Sequence, residues 1–332
     1  MAGENETPAI LNGHLNGNGY INGHSIATNT TTNGHTDGTS EDNRKVAIVT
    51  GATSGMGIDL AKHLLTKNYR VALIGRNTTA GNALASQLNT YNSAQFFQCD
   101  VSSYASQAAM FLAVWKTWHR IDLCCFNAGI VDQSSLYISS HRDKKNPSVE
   151  DIPLEPDLSA TDVCYKGVVY GTQLATHFMR FNAPQKGGRI VVNGSIGGVF
   201  PHRAFPEYCG AKAGVIQFVR GVAPLLKQKE NILINVVSPG MVDTPIVPRE
   251  MIEAVSPECL TPVSTVIAAH DVFINDETER VGKVLEASAD QLVFYEPPEY
   301  GNGYKTKRAV TVWEPFFRAK HGEDSGLEDA IA

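Results

Sequence analysis

Short apolar runs rich in β-branched residues alternate with helical stretches between residues 45 and 290, and this alternation is the strongest constraint on the fold. The apolar runs are short and bounded by turn-forming residues, which predicts strands, whereas the stretches between them repeat apolar residues at helical spacing. The predicted strands are 45–50, 70–75, 94–100, 121–127, 189–194, 232–237 and 282–288, and the predicted helices are 56–68, 79–91, 106–119, 157–181 and 206–228.

This order of elements predicts an α/β fold, a doubly wound (Rossmann-type) parallel sheet with helices on both faces, because right-handed crossovers favour that arrangement. We assign residues 45–290 to one catalytic domain. Pro224 conflicts with the helix predicted around it, so we expect that helix to kink or end early. Residues 291–332 are predicted to form a C-terminal extension. Its role is either to cover the pocket or to form a subunit interface, and the sequence leaves both open.

Residues 1–44 are rich in Asn, Gly, Thr and His and contain few large apolar residues. Such a segment cannot bury enough apolar surface to offset its conformational entropy, so we predict a disordered tail. Its Asn-Gly-His triplets at 12–14, 22–24 and 33–35 are typical of low-complexity sequence, and metal binding is the alternative. The tail lacks the basic start and apolar core of a signal peptide.

The formal net charge of −6 and the lack of a dense Lys/Arg run argue against binding to nucleic acid or to an anionic membrane. The six cysteines show no Cys-x-x-Cys spacing and several lie in apolar runs, which indicates reduced thiols and no metal site. No apolar run reaches the ~20 residues that a membrane span needs. We therefore expect a cytoplasmic protein that acts on a small-molecule substrate.

Gly51, Gly55 and Gly57 follow the first predicted strand and open the first predicted helix. Glycines let the backbone turn tightly and approach a pyrophosphate, while the helix N-terminus presents free N–H groups and its positive dipole end. Glycines also serve plain tight turns, but this position between a strand and a helix favours a dinucleotide.

The end of the second predicted strand distinguishes the two nicotinamide dinucleotides, because a carboxylate there suits the ribose of NAD and an arginine the 2′-phosphate of NADP. The strand ends at Gly75, and Arg76 and Asn77 follow it directly. NADP(H) is therefore the predicted cofactor and NAD(H) is less favoured, with a solvated loop arginine as the alternative. Asp100, at the end of the third predicted strand, is either an acceptor for the adenine amino group or a turn-forming residue.

Six ordered motifs resemble the single-domain short-chain dehydrogenase/reductase superfamily over residues 45–290: TGATSGMG (50–57), CDVSS (99–103), NAG (127–129), VNGSIGG (192–198), YCGAK (208–212) and NVVSPGMVDTP (235–245). The C-terminal segments PPEY and AVTVWEPFFRAKHGE look most like fungal proteins of the 15-hydroxyprostaglandin-dehydrogenase-like group. The resemblance implies cofactor contacts from Gly51, Thr53, Ser54, Gly55, Met56, Gly57, Arg76, Asp100, Val101, Asn127, Ala128, Gly129, Tyr208, Lys212, Pro239, Gly240, Val242 and Thr244.

Hydride transfer to a carbonyl carbon leaves an alkoxide that needs a proton, and a free tyrosine, with a pKa of ~10, is poorly matched to neutral pH. Lys212 lies one helical turn from Tyr208, where its ammonium would stabilise the phenolate. We predict Tyr208 as the general acid/base and Lys212 as the residue that tunes it and, by resemblance, binds the nicotinamide ribose. Ser195, 13 residues before Tyr208, is predicted to position the reacting oxygen.

Cys164 departs from the family pattern, because it stands where the family usually has an asparagine in the helix before the fifth strand. In the family that asparagine is thought to hold a water that connects the lysine to solvent. A thiol is a weak donor and a weak acceptor, which puts the proton relay in doubt without directly affecting hydride transfer. A buried, space-filling cysteine is preferred to a reactive thiol.

Two segments are candidates for substrate recognition: 241–262, which mixes apolar residues with prolines, and 131–159, which is long for a connection. For His202 and Arg203, lining the cleft and lying on the surface are both open. We predict an NADP(H)-dependent oxidoreductase that interconverts a ketone and a secondary alcohol on a medium-sized apolar substrate such as a secondary metabolite, as a homodimer or homotetramer. An NAD-dependent hydroxy-dehydrogenase, a non-redox isomerase, cyclase or dehydratase, and a cofactor-binding scaffold are the alternatives.

Overall fold

The computed structural model describes residues 43–137, 142 and 144–331 of the 332-residue chain. Of the segment predicted as a disordered tail, residues 1–42 lie outside the described residues, and so do its three Asn-Gly-His triplets. The fold described below therefore concerns the predicted catalytic domain and the C-terminal extension.

The described residues form one eight-stranded sheet in the order β3-β2-β1-β4-β5-β6-β7-β8. All neighbouring pairs are parallel except β7 and β8, which are antiparallel. The strand order reverses between β1 and β4, as in doubly wound sheets. The strands are β1 Val46–Thr50, β2 Arg70–Gly75, β3 Ala94–Gln98, β4 Leu123–Phe126, β5 Gly188–Asn193, β6 Ile232–Pro239, β7 Val284–Ser288 and β8 Gln291–Tyr295.

Helices connect the strands and follow the last of them. They are α1 Met56–Thr66, α2 Thr78–Leu88, α3 Tyr104–Trp118, a composite α4, α5 Pro206–Glu230, α6 Arg249–Ala254, α7 Val263–Ile274, α8 Gly303–Thr311 and α9 Glu314–His321. α4 joins the segments Ser159–Thr161, Asp162–Lys166 and Gly167–Met179, the middle one being π-helical. Short 3₁₀ turns lie at Ile196–Gly198 and Pro257–Cys259.

Both faces of the sheet are covered by helices. In β1, Val46 and Ile48 pack into a core with α3, α4 and α5, whereas Ala47 and Val49 pack on the opposite face with α1 and α7. Because every residue of such a strand is buried, its sequence is continuously apolar instead of alternating. The predicted doubly wound parallel sheet with helices on both faces is confirmed.

The C-terminal edge of the sheet differs from the prediction. The sequence predicts 282–288 as the last strand, but β7 turns at Ala289, which has a φ of 48°, into the antiparallel β8. The sheet thus continues past the predicted domain boundary at residue 290. β8 was missed because its side chains are half-exposed at the edge of the sheet and lack the continuous apolar pattern of a buried strand.

Pro224 does not end α5, which continues to Glu230, so the prediction of an early end is wrong. Pro224 itself is exposed, while Val215, Val219 and Ala223 of the same helix are fully buried. Packing of that face opposes the roughly 3 kcal/mol that an interior proline costs a helix. Across the described part of the chain, we find no helix with the length and apolar character needed to cross a lipid bilayer.

Candidate active site

Two cavities lie at the carboxyl ends of the parallel strands, the edge at which doubly wound sheets bind ligands. The first has a volume of about 270 Å³ and is bordered by the ends of β1, β2 and β3. The second, of about 290 Å³, is bordered by the ends of β5 and β6 and by the start of α5. Gly129, in the loop after β4, lines both cavities, so the two adjoin.

The site residues predicted from the sequence divide between these cavities. The first is lined by Gly51, Thr53, Ser54, Arg76, Asp100, Val101, Ala128 and Gly129. The second is lined by Met56, Asn127, Gly129, Ser195, Tyr208, Lys212, Pro239, Gly240, Val242 and Thr244. Gly55 and Gly57 line neither cavity and instead determine the course of the loop between β1 and α1.

The loop between β1 and α1 depends on its glycines. Gly51 has a φ of 65° and Gly55 a φ of 50°, in the left-handed region that glycine occupies without strain. A Cβ on Gly57 would overlap the carbonyl oxygen of Gly51 and lie 2.8 Å from Nδ2 of Asn127. A side chain at position 57 therefore requires the loop to move away from Gly51 and Asn127.

The N-terminus of α1 fits an anionic group. Its N-cap, Gly55, makes no side-chain hydrogen bond to the first turn, whereas Asn77 and Ser103 cap α2 and α3 with their side chains. An uncapped helix start beside a glycine loop offers N–H donors and the positive end of the helix dipole. These residues fit the pyrophosphate of a nicotinamide dinucleotide.

Arg76 follows β2 and is exposed at the first cavity, where the end of this strand carries a cation and no carboxylate. Asp100 lines the same cavity, and its carboxylate accepts hydrogen bonds from the hydroxyl of Ser102 at 2.7 Å and from its backbone N–H at 3.0 Å. The bonds from Ser102, with a smaller contribution from the Arg76 charge, lower the pKa of Asp100. Asp100 thus stabilises its own turn while it borders the cavity.

A chain of hydrogen bonds connects the glycine loop to Lys212. Asn127 donates from Nδ2 to the carbonyl oxygen of Thr50 at 3.0 Å and accepts at Oδ1 from Nδ2 of Asn193 at 2.7 Å. The carbonyl oxygen of Asn193 in turn accepts from Nζ of Lys212 at 2.6 Å. Thr50 and Asn193 were not among the predicted site residues, although a polar residue that ends an apolar strand is a usable signal.

Ser195, Tyr208 and Lys212 line the second cavity together. Ser195 follows β5, and its Oγ accepts a hydrogen bond from the backbone N–H of Gly197 at 3.0 Å. Tyr208 and Lys212 lie on one face of α5, with Nζ of Lys212 5.6 Å from the centre of the Tyr208 ring. Lys212 is only 3% exposed, so solvent screens its ammonium little from neighbouring groups.

The start of α5 is capped by a distant residue that the sequence analysis missed. The two carboxylate oxygens of Asp132, in the loop after β4, accept hydrogen bonds from the backbone N–H groups of Glu207 at 3.0 Å and Tyr208 at 2.8 Å. The N-cap residue itself, Phe205, makes no side-chain bond. Asp132 therefore holds the turn that carries Tyr208, and no local pattern marks it because the contacts span 75 and 76 positions.

Cys164 lies in the π-helical turn of α4 and is fully buried. Its Sγ donates a hydrogen bond to the carbonyl oxygen of Ile130 at 3.3 Å. A Cβ on Gly129 would lie 3.5 Å from this sulfur and 3.8 Å from Nζ of Lys212, so thiol and ammonium lie near the same glycine. Burial fits the interpretation of Cys164 as a space-filling residue, and the thiol lines neither cavity.

The remaining walls of the second cavity are largely apolar. Segment 241–262 contributes Met241, Ile246, Val247 and Met251, and the segment before α5 contributes Ile196, Phe200, Pro201 and Phe205. Of the described residues in 131–159, Val131 lines it. None of the described residues after Met251 lines this cavity, so the described part of the C-terminal extension does not cover it. Tyr295 of β8 contacts one of the lining residues, Phe200, with 6.1 Å between ring centres.

Comparison with known proteins gives consistent matches. The chain matches the short chain dehydrogenase family over residues 45–253. It is 59% identical to the short-chain dehydrogenase/reductase prx6 of Penicillium rubens. The alignment of 295 residues covers 86% of this chain and 97% of that protein. It is 32% identical over 208 residues to the mouse (Mus musculus) 15-hydroxyprostaglandin dehydrogenase [NAD(+)], covering 61% of this chain and 70% of the mouse protein.

Among solved structures, a short-chain type dehydrogenase/reductase from Mycobacterium marinum superposes with a TM-score of 0.63 at 22% sequence identity. The superposition covers 74% of this chain and 94% of that one and supports the fold. The family match runs through the glycine loop, the end of β5 and the start of α5. The chain therefore belongs to the short-chain dehydrogenase/reductase family of oxidoreductases.

Proposed function

We propose that this protein interconverts a ketone and a secondary alcohol on a medium-sized apolar substrate, such as a secondary metabolite, with NADP(H) as its cofactor. The observation that carries the proposal is that Ser195, Tyr208 and Lys212 share one largely apolar cavity that adjoins the glycine loop. A nicotinamide dinucleotide, when bound, supplies or accepts the hydride. Membership of the family supports oxidoreductase chemistry with such a cofactor.

In the direction of reduction, the substrate carbonyl gains a hydride at carbon and a proton at oxygen. Tyr208 donates that proton from its hydroxyl, and in oxidation its phenolate removes it. Ser195 accepts a bond from Gly197 at Oγ, which leaves its own O–H to donate to the substrate oxygen. Lys212 stabilises the phenolate and uses one of its three N–H donors on Asn193.

The test of the chemistry compares wild type with Tyr208→Phe, which keeps the ring and removes the proton donor. Both are incubated with NADPH or NADH and a panel of cyclic and long-chain ketones, and the nicotinamide absorbance is followed. We expect near-normal cofactor binding in Tyr208→Phe with turnover reduced roughly 100-fold or more. Tyr91→Phe is the matched control, since Tyr91 is 89% exposed.

Full turnover in Tyr208→Phe would remove the general acid/base assignment. Consumption of substrate without any change in nicotinamide absorbance would favour the isomerase, cyclase or dehydratase alternative.

Arg76 supports NADP(H), because a guanidinium at the end of β2 suits a 2′-phosphate. The NAD-dependent hydroxy-dehydrogenase alternative is supported by the mouse relative, whose name specifies NAD(+). Values of kcat/KM for NADPH and NADH in wild type and Arg76→Asp decide between them. We expect the variant to shift the NADPH/NADH ratio roughly 10- to 100-fold toward NADH, the size of a lost charge-assisted contact. An unchanged ratio would exclude contact with the 2′-phosphate.

We also propose a homodimer or homotetramer in the cytoplasm. The edge strand β8 supports a subunit contact, because Leu292, Val293 and Phe294 are 38%, 47% and 42% exposed. The six cysteines are free thiols, which supports a reducing compartment. Sedimentation over a range of concentrations checks the assembly, and a monomer throughout would contradict it.

A further inference from the structure

The polar side chains that line the second cavity fall into two groups. One group surrounds the reacting oxygen and the cofactor loops: Asn127, Asn193, Ser195, Tyr208, Lys212 and Thr244. The other is His202, which comes from the segment between β5 and α5 and whose neighbours in the wall include Phe200, Pro201 and Phe205. A polar group within an apolar wall is well placed to orient a substrate through one of its polar atoms.

The ring of His202 is exposed and lies against the residue that precedes α5. It stacks on the ring of Phe205, with 5.0 Å between centres and 23° between planes. The backbone N–H of His202 donates to Sγ of Cys209 at 3.2 Å, and the Cys209 thiol donates to the carbonyl oxygen of His202 at 3.7 Å. Because Cys209 directly follows Tyr208 on α5, the segment that carries the imidazole is tied to the turn that carries the phenol.

One hydrogen bond determines where the imidazole carries its proton. The backbone N–H of Ala204 donates to Nδ1 of His202 at 3.3 Å, so Nδ1 carries the lone pair and the neutral ring has its proton on Nε2. His202 therefore offers an N–H donor at Nε2.

The charge of the cavity narrows the ligand class further. Among the described residues that line it, Lys212 is the sole formally charged side chain, and it is buried beside Tyr208. The described lining of the cavity thus places no cation beside His202 to bind a carboxylate, whereas Nε2–H suits an uncharged acceptor.

We propose that His202 selects the substrate by donating a hydrogen bond from Nε2 to a second, uncharged oxygen, remote from the oxygen at which Tyr208 acts. The substrates are then apolar ketones or alcohols with a further carbonyl, ester, ether or hydroxyl group. This inference rests on the proposed function and specifies its substrate class.

The test uses decan-2-one and analogues of equal chain length in which an ether oxygen replaces one CH₂ at successive positions. A flexible chain lets the ether oxygen reach Nε2 wherever the match occurs. Values of kcat/KM with NADPH are measured for wild type, His202→Phe and His202→Gln. His202→Phe keeps an aromatic ring on Phe205 and removes the donor, whereas His202→Gln keeps an N–H donor. Ratios within one protein cancel differences in its active fraction.

In wild type we expect one ether position to exceed its neighbours in kcat/KM by roughly 3- to 10-fold, the net size of one neutral hydrogen bond. The profile should be flat in His202→Phe and partly restored in His202→Gln. Arg203→Ala is the matched control, because Arg203 is exposed and does not line the cavity, and it should keep the wild-type profile.

The same profile in wild type and His202→Phe would overturn the role of His202 and leave the proposed function intact. Loss of the profile in both His202→Phe and Arg203→Ala would assign the effect to the loop and would also overturn it. No oxidation of NADPH by wild type with any of these ketones would contradict the proposed function, and the His202 proposal with it.

Discussion

His270 makes the free energy of unfolding depend on pH in a way that the structure allows to be calculated. It lies in α7 and is 1% exposed, with Nδ1 2.9 Å from the carbonyl oxygen of Val266, so Nδ1 carries the proton. Its Nε2 has no hydrogen-bond partner among the described residues. Burial lowers the pKa of His270 to about 4 from 6.5, with His63 adding to this effect and Val266 and Asp271 opposing it.

Between these two pKa values, the unfolded chain binds a proton at His270 that the folded chain does not bind, so the free energy of unfolding rises with pH. The contribution of His270 is fully present above pH 6.5 and is lost as the pH falls through about 4. At 1.36 kcal/mol per pKa unit, the whole difference corresponds to about 3 kcal/mol, and about 2 kcal/mol is already lost at pH 5.

Urea unfolding at pH 7.5 and pH 5 measures this effect in wild type and in His270→Met, which fills a similar volume and does not titrate. Other groups also titrate in this range, so the decisive quantity is the difference in pH dependence between the two proteins. Wild type should lose about 2 kcal/mol more than His270→Met. His321→Gln, at an exposed position of α9, should lose as much as wild type. Equal losses in wild type and His270→Met would refute the reasoning.

Two further predictions concern residues that shape the site. Gly57→Ala forces a Cβ against the carbonyl oxygen of Gly51, so the cofactor dissociation constant from fluorescence titration should rise roughly tenfold or more and the free energy of unfolding should fall by about 1–3 kcal/mol. The control Gly221→Ala, at an open helical position, should instead raise the free energy of unfolding by up to about 1 kcal/mol. Wild-type cofactor affinity in Gly57→Ala would contradict the role of the glycine loop. Asp132→Ala removes both acceptors at the start of α5, so the free energy of unfolding should fall by about 1–2 kcal/mol. This variant should also lower kcat more than it changes the KM for the cofactor. Asp132→Asn should be intermediate in both respects. An unchanged kcat in Asp132→Ala, measured beside urea unfolding, would show that Tyr208 does not depend on this cap.

The sequence predicts secondary structure best where burial is complete. β1 and β6 are buried along their whole length, so their apolar runs admit few other interpretations. β8 escapes prediction because its exposed edge position and its antiparallel pairing with β7 depend on the rest of the sheet. Pro224 misleads for a similar reason: the local rule for proline is outweighed by tertiary packing of the opposite face of α5.

The site shows the same division between local and tertiary information. Tyr208 and Lys212 could be predicted to share a face because helical spacing decides it. Asp132 could not be predicted, because its role depends on the loop after β4 lying against the start of α5. For His202, cleft and surface were both left open; the side chain is exposed and also lines the second cavity, which depends on the course of the backbone between β5 and α5.

The strand order explains how motifs that are far apart in the chain act together. β1, β4 and β5 are neighbours in the sheet, so Thr50, Asn127 and Asn193 meet at one edge. The Thr50 carbonyl can only accept, so it takes the Nδ2 donor of Asn127 and leaves Oδ1 for Asn193. Asn193 pairs with β6 through its main chain, and its carbonyl oxygen holds the ammonium of Lys212. The sheet itself thus fixes the lysine relative to the glycine loop, and a change in the β4–β5 register would break the hydrogen bond between Asn193 and Asn127 that links them.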